Sequence, residues 1–158
     1  MRIVLLLLLA VVASPACGPM PPETMLGGYF QALLFDKNRE AALAQTSRPA
    51  GIDPPEGVPY CFTDEADLWR IAEAAFAQEA AADAAKRRVA WAKLRREGYV
   101  AYERANTNVT TAAVDVVFNP SLFAHLKLDP VPPASSFRYV LLRGDDGTWK
   151  VSQVKAQR

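Results

Sequence analysis

The chain predicts an α+β fold: an antiparallel sheet packed on helices that precede it, behind a cleaved export signal. Three observations predict it. The last third holds two runs of β-formers around Gly144-Asp-Asp-Gly147, the pattern of a β-hairpin. The middle carries a long segment of helix-forming composition, Asp64 to Glu97. The first residues form an apolar run too short to span a membrane.

From the start, Arg2 is a minimal positive region, Ile3 to Val12 is apolar, and small residues at Ala13, Ser14 and Ala16 precede Cys17. That is the layout of a signal peptide, assigned here to residues 1–16. Ser14-Pro-Ala-Cys17 resembles the lipobox of bacterial lipoproteins, in which a small residue stands directly before the cysteine that becomes the lipid-bearing N-terminus. The resemblance implies lipid attachment at Cys17. The alternative is ordinary cleavage, leaving Cys17 to pair with Cys61, the only other cysteine.

Loss of residues 1–16 removes Arg2 and leaves 17 basic against 17 acidic residues. A nucleic-acid binder normally carries a basic excess, and this balance argues against one. Asn108-Val-Thr110 matches a glycosylation sequon, read as chance behind a bacterial signal.

Residues 17–22 form a Pro/Gly tether, and 23–158 one domain. Glu23 to Phe35 is expected to be a helix: Met25, Leu26, Tyr29, Phe30, Leu33 and Leu34 recur at helical spacing. Gly27-Gly28 costs about 1 kcal/mol per glycine and calls for close packing. Asp36 is placed as the cap of a second helix, Lys37 to Gln45. Thr46 to Pro59, rich in proline and glycine, is a loop.

Asp64, Glu65 and Asp67 open the long helical segment, Arg95 and Arg96 close it, and Gly98 follows as the C′ residue. At 100° per residue Leu68, Ile71, Ala72, Ala75, Phe76, Val89, Ala90 and Leu94 share one arc, interrupted by Glu79, Asp83 and Lys86. Either one helix overhangs the domain or the chain breaks near Ala80 to Ala85. An Asp83–Arg87 pair is expected at i,i+4. The cations from Lys86 to Arg96 read first as a solvated face, otherwise as a contact for anionic lipid or a partner.

Tyr99 to Ala105 and Thr110 to Phe118 form a second strand pair, with Val114, Val116 and Phe118 on one face and Asp115 on the other. Asn119-Pro120 opens a short helical turn, and Asp129 to Pro133 is an extended linker. In the closing hairpin Phe137, Tyr139 and Leu141 share a face, and Trp149 and Val151 alternate with polar residues.

Tyr29-Phe-Gln-Ala-Leu-Leu-Phe-Asp36 with Ala41-Ala-Leu43, Ala112-Ala-Val-Asp-Val-Val117, and Asp146-Gly-Thr-Trp-Lys-Val151 together resemble the nuclear transport factor 2-like superfamily. The resemblance implies a curved sheet wrapping the helices as a cone. Within such a cone Tyr102, Phe118, Tyr139 and Trp149 are the candidate pocket-lining residues. Catalytic members use an Asp or His with a Tyr inside the cone, and no such pair carries over. The lone His125 falls in a turn, and Asp115 faces outward. No catalytic residue, cofactor or metal site is assigned: one His and two Cys do not make a zinc site. The reading is therefore a lipid-anchored protein of the bacterial cell envelope, facing the periplasm or exterior. It carries a non-catalytic binding or scaffold domain for an envelope protein partner. The alternative is a small-molecule binder or a cone-type isomerase or dehydratase with an unidentified ligand.

Overall fold

The computed structural model describes residues 20–47 and 61–157. The signal segment, Cys17 and most of the Pro/Gly loop lie outside them. Helix α1 spans Pro22–Phe30 and runs into a π-helical turn, Gln31–Phe35, which buries Leu33, Leu34 and Phe35. Helix α2, Arg39–Ala44, starts later than expected. Its cap is Asn38, whose Oδ1 accepts from the Ala41 N–H at 3.0 Å, and not Asp36, which accepts instead from the Gln31 amide. Of the two adjacent glycines only Gly28 meets a neighbour, the Gln45 side chain; a methyl on Gly27 would enter open space.

The long helical segment is two helices. A 3-10 turn at Thr63–Glu65 leads into α3, Ala66–Gln78, and α4 follows as Ala84–Arg96. The break is a Schellman motif: the Ala81 N–H bonds the Phe76 carbonyl, the Ala80 N–H bonds that of Ala77, and Ala80 sits at φ 51°. Glycine normally fills that left-handed position, so an alanine there hides the break from a reading of glycines and prolines. Asp83 then caps α4 through the Lys86 N–H at 2.8 Å. The expected Asp83–Arg87 pair does not form. Asp83 lies 3.8 Å from Lys86 Nζ, and Arg87 donates to the Phe35 carbonyl. The break also rephases α4: Val89, placed in the core by a continuous helix, is 65% exposed, and Trp91 takes the buried position. At its other end α4 closes on Gly98, at φ 76°, as expected.

Backbone amides of residues 79–83 should exchange faster than those within α3 or α4. Uniform protection from 76 to 88 in a hydrogen-exchange experiment would contradict the break.

Strands β1 (Val100–Thr107), β2 (Thr111–Phe118), β3 (Ser136–Arg143) and β4 (Trp149–Gln157) make one antiparallel sheet in the order β1-β2-β3-β4, which does not close. The first turn is pinned by Asn108, whose Oδ1 accepts from the Thr110 and Thr111 N–H groups. Between β2 and β3, Asn119 caps the short helix α5, Ser121–His125, through the Ser121 N–H. The closing turn uses Gly147 at φ 78° and an Asp146 carboxylate that accepts from Thr148. Val114, Val116, Phe118, Phe137, Tyr139, Leu141 and Val151 point to the helices and are buried, as the alternation predicts. A bulge opposite Val140/Leu141 brings Val154 onto the same face. On the other face Asp115 is not left to solvent: Arg138 grips it through two bonds of 2.7 and 2.8 Å.

Candidate functional site

Between helices and sheet the space is occupied by interlocked rings. Phe30 meets Tyr29, Trp91, Tyr102 and Tyr139 with centroids 5.2–6.1 Å apart. Trp91 also meets Phe35, Phe76 and Phe118, and Phe118 meets Phe137 edge-on at 5.9 Å. Pairs of this kind prefer tilted and edge-to-face contact, as here.

Three of the four candidate lining residues belong to this cluster. Tyr102 accepts from Trp91 Nε1 at 2.8 Å, and Arg95 lies over its ring at 4.3 Å. Phe118 packs between Trp91 and Phe137. Tyr139 crosses Phe30 edge-on. Trp149 stands apart at the hairpin end, buried, with the Arg143 guanidinium near its ring. His125 is exposed and stacks on Tyr99.

The polar centre of the interior is a residue the sequence reading treated only as helix-dipole charge. Glu65 is 0% exposed. Its Oε1 accepts from Tyr29 Oη at 2.8 Å and Tyr139 Oη at 2.9 Å, and its Oε2 accepts from the Phe62 N–H at 2.9 Å. The backbone of Cys61 donates to it as well. The bond to Phe62 is half of a capping box: Glu65 reaches back to the residue before the 3-10 turn, and Phe62 has no side-chain oxygen to reciprocate. One carboxylate thus ties together α1 through Tyr29, β3 through Tyr139, and the chain entering α3.

Burial disfavours the charged form and raises the Glu65 carboxyl from 4.5 to about 7, against the opposing pull of its four donors. Burial, then the nearby Glu65 charge, push the Tyr29 and Tyr139 phenols well above their ordinary range. These groups hold protons at pH 7 and serve as donors. A signal for this cluster did exist in the sequence: Tyr29 and Tyr139 each sit on an apolar face, and a buried phenol needs a polar partner. Nothing in the linear pattern names Glu65 as that partner.

No group of three or more His, Cys, Asp or Glu side chains able to hold a metal occurs among the described residues. Nor is any of their helices long and apolar enough to cross a membrane. Comparison with protein-family models, with curated proteins and with solved structures gave no match.

Proposed function

We propose that the chain is an exported bacterial envelope protein, anchored by lipid at Cys17, with a cone-like domain of the nuclear transport factor 2-like kind that binds a partner on its outer surface. The observation that carries the binding half is the filled interior. Where a ligand cone would be open, Phe30, Trp91, Phe118 and Tyr139 pack on one another, and the Glu65 oxygens are engaged by protein donors. The anchoring half rests on the apolar run before Ala16-Cys17. Two or more acyl chains suffice for stable attachment, at about 0.8 kcal/mol per buried methylene.

A second reading, a small-molecule binder or cone-type isomerase or dehydratase, draws on the same Glu65 cluster. A carboxyl raised to about 7 beside two phenols is suited to proton transfer, and this reading requires the interior to open.

Intact mass decides the anchor. Protein purified from cells expressing the full chain should begin at Cys17 and carry the mass of acyl chains. An unmodified N-terminus elsewhere, or a Cys17–Cys61 disulfide, would overturn lipidation.

A further inference from the structure

We propose that the outer face of α4 lies on an anionic phospholipid bilayer, an orientation that extends the envelope-anchor reading above. The helix, Ala84-Ala-Lys-Arg-Arg-Val-Ala-Trp-Ala-Lys-Leu-Arg-Arg96, has no acidic residue. Its inward side is set by Ala90, Trp91 and Leu94, which are buried, and by Arg87, which donates to the Phe35 carbonyl. At 100° per residue the opposite side gathers Ala85, Arg88, Val89, Ala92, Arg95 and Arg96 into an arc of about 120°. All six are exposed.

The neighbouring acids are largely committed elsewhere. Glu79 pairs with Lys93 at 2.5 Å, Asp83 caps the helix and approaches Lys86, and Glu23 pairs with Arg104. Glu97 follows the helix directly and is exposed, and Glu79, held by Lys93, borders the face beside Ala85 and Val89. Arg88, Arg95 and Arg96 make no ion pair among the described residues, and Arg95 is steadied on the Tyr102 ring. Three arginines around two alanines and a valine, with no bulky side chain between them, suit a broad, flat anionic surface with a shallow apolar layer. That is the makeup of an interfacial helix.

The start of the domain lies on the same flank. Glu23, in the first turn of α1, is bonded to Arg104 of β1. Two residues along the same face of that strand is Tyr102, about 7 Å away, and Arg95 lies over its ring. Cys17 precedes Pro22 by five residues, so its reach is at most about 18 Å. A lipid on Cys17 would therefore hold the bilayer close to the Arg95 end of α4.

Each cation near an anionic surface strengthens attachment about fivefold, so three give about a hundredfold preference for a charged over a neutral bilayer. The test is arginine modification by phenylglyoxal, read site by site by mass spectrometry, on the purified mature protein. It is mixed with vesicles of phosphatidylcholine alone or with one third phosphatidylglycerol. Arg88, Arg95 and Arg96 should be protected on the charged vesicles only, and released by high salt. Arg88→Gln with Arg96→Gln should leave about a fivefold preference at Arg95. Equal protection on both vesicles, protection on neither, or protection only by an acidic protein would overturn the proposal. The acyl mass of the same sample reports the anchor separately. Acylated protein with unprotected arginines keeps the anchor and rejects this face. Unacylated protein that floats with charged vesicles and is protected there keeps the face and rejects the anchor.

Discussion

Glu65→Ala should lower stability at pH 7 by about 2–5 kcal/mol, because it strands the fully buried Tyr29 and Tyr139 hydroxyls and removes the acceptor of the part-buried Phe62 N–H. A chain of this size has about 5–15 kcal/mol in all, so the loss should be plain in a urea titration. Replacing the side-chain cluster at once, Tyr29→Phe, Tyr139→Phe and Glu65→Leu, should recover part of it, since it removes both phenol donors together with their acceptor and leaves only the Phe62 backbone N–H without its Glu65 acceptor. A Glu65→Ala midpoint within about 0.5 kcal/mol of wild type would show that the cluster is not a structural tie.

The same residue gives a pH signature with a definite sign. The Glu65 carboxyl is raised by folding, from 4.5 to about 7, so the folded state binds more protons than the unfolded state between those values. Its contribution is therefore greatest below about pH 4.5, falls as pH rises through that window, and levels off above 7. The full change is on the order of 3 kcal/mol. The two phenols facing it, Tyr29 and Tyr139, are pushed well above their ordinary range and stay protonated across the window. Glu23 and Asp146, both lowered, act in the opposite sense only at more acidic pH. Wild type should melt higher at pH 5 than at pH 8, and Glu65→Gln should show little slope. Stability that rises from pH 5 to 8 would contradict the assignment.

Trp91→Ala should be the most damaging single truncation on the helices, at about 3–5 kcal/mol. It removes the ring against which Phe30, Phe35, Phe76 and Phe118 all pack, and takes the donor from Tyr102. Trp91→Phe keeps most of the volume and loses the 2.8 Å bond, so about 1–2 kcal/mol is expected. Trp149→Ala should fall at the lower end of the truncation range, because one side of that ring meets the Arg143 side chain, which can follow it. A shift of only a degree or two in the Trp91→Ala melt would mean that the interior is not packed as a core. The small-molecule reading would then gain at the expense of the scaffold.

What the sequence determined by itself is the local structure that repeats. Alternation of apolar residues in 112–118 and 137–154 assigned the strands and their inner faces, because successive residues of a strand face opposite sides. The Gly-Asp-Asp-Gly turn, the Asn119 cap and the Gly98 stop were equally legible, since each meets a backbone requirement within a few residues. The phase of α4 was not. The interrupted apolar arc allowed a break near Ala80 to Ala85 beside one continuous helix, and the chain does break there. But the left-handed turn at Ala80 that sets the new phase is announced by no residue type, and it exchanged Val89 for Trp91 in the core. Nor was Glu65 legible as the centre of the interior. A carboxylate at a helix start complements the dipole in solvent just as well, and only packing α1 and β3 around it, 36 and 74 residues away along the chain, turns it into a buried acceptor for two phenols. Hydrogen-bond partners brought together across such distances leave no periodic trace, so tertiary structure alone decided which charge went inside.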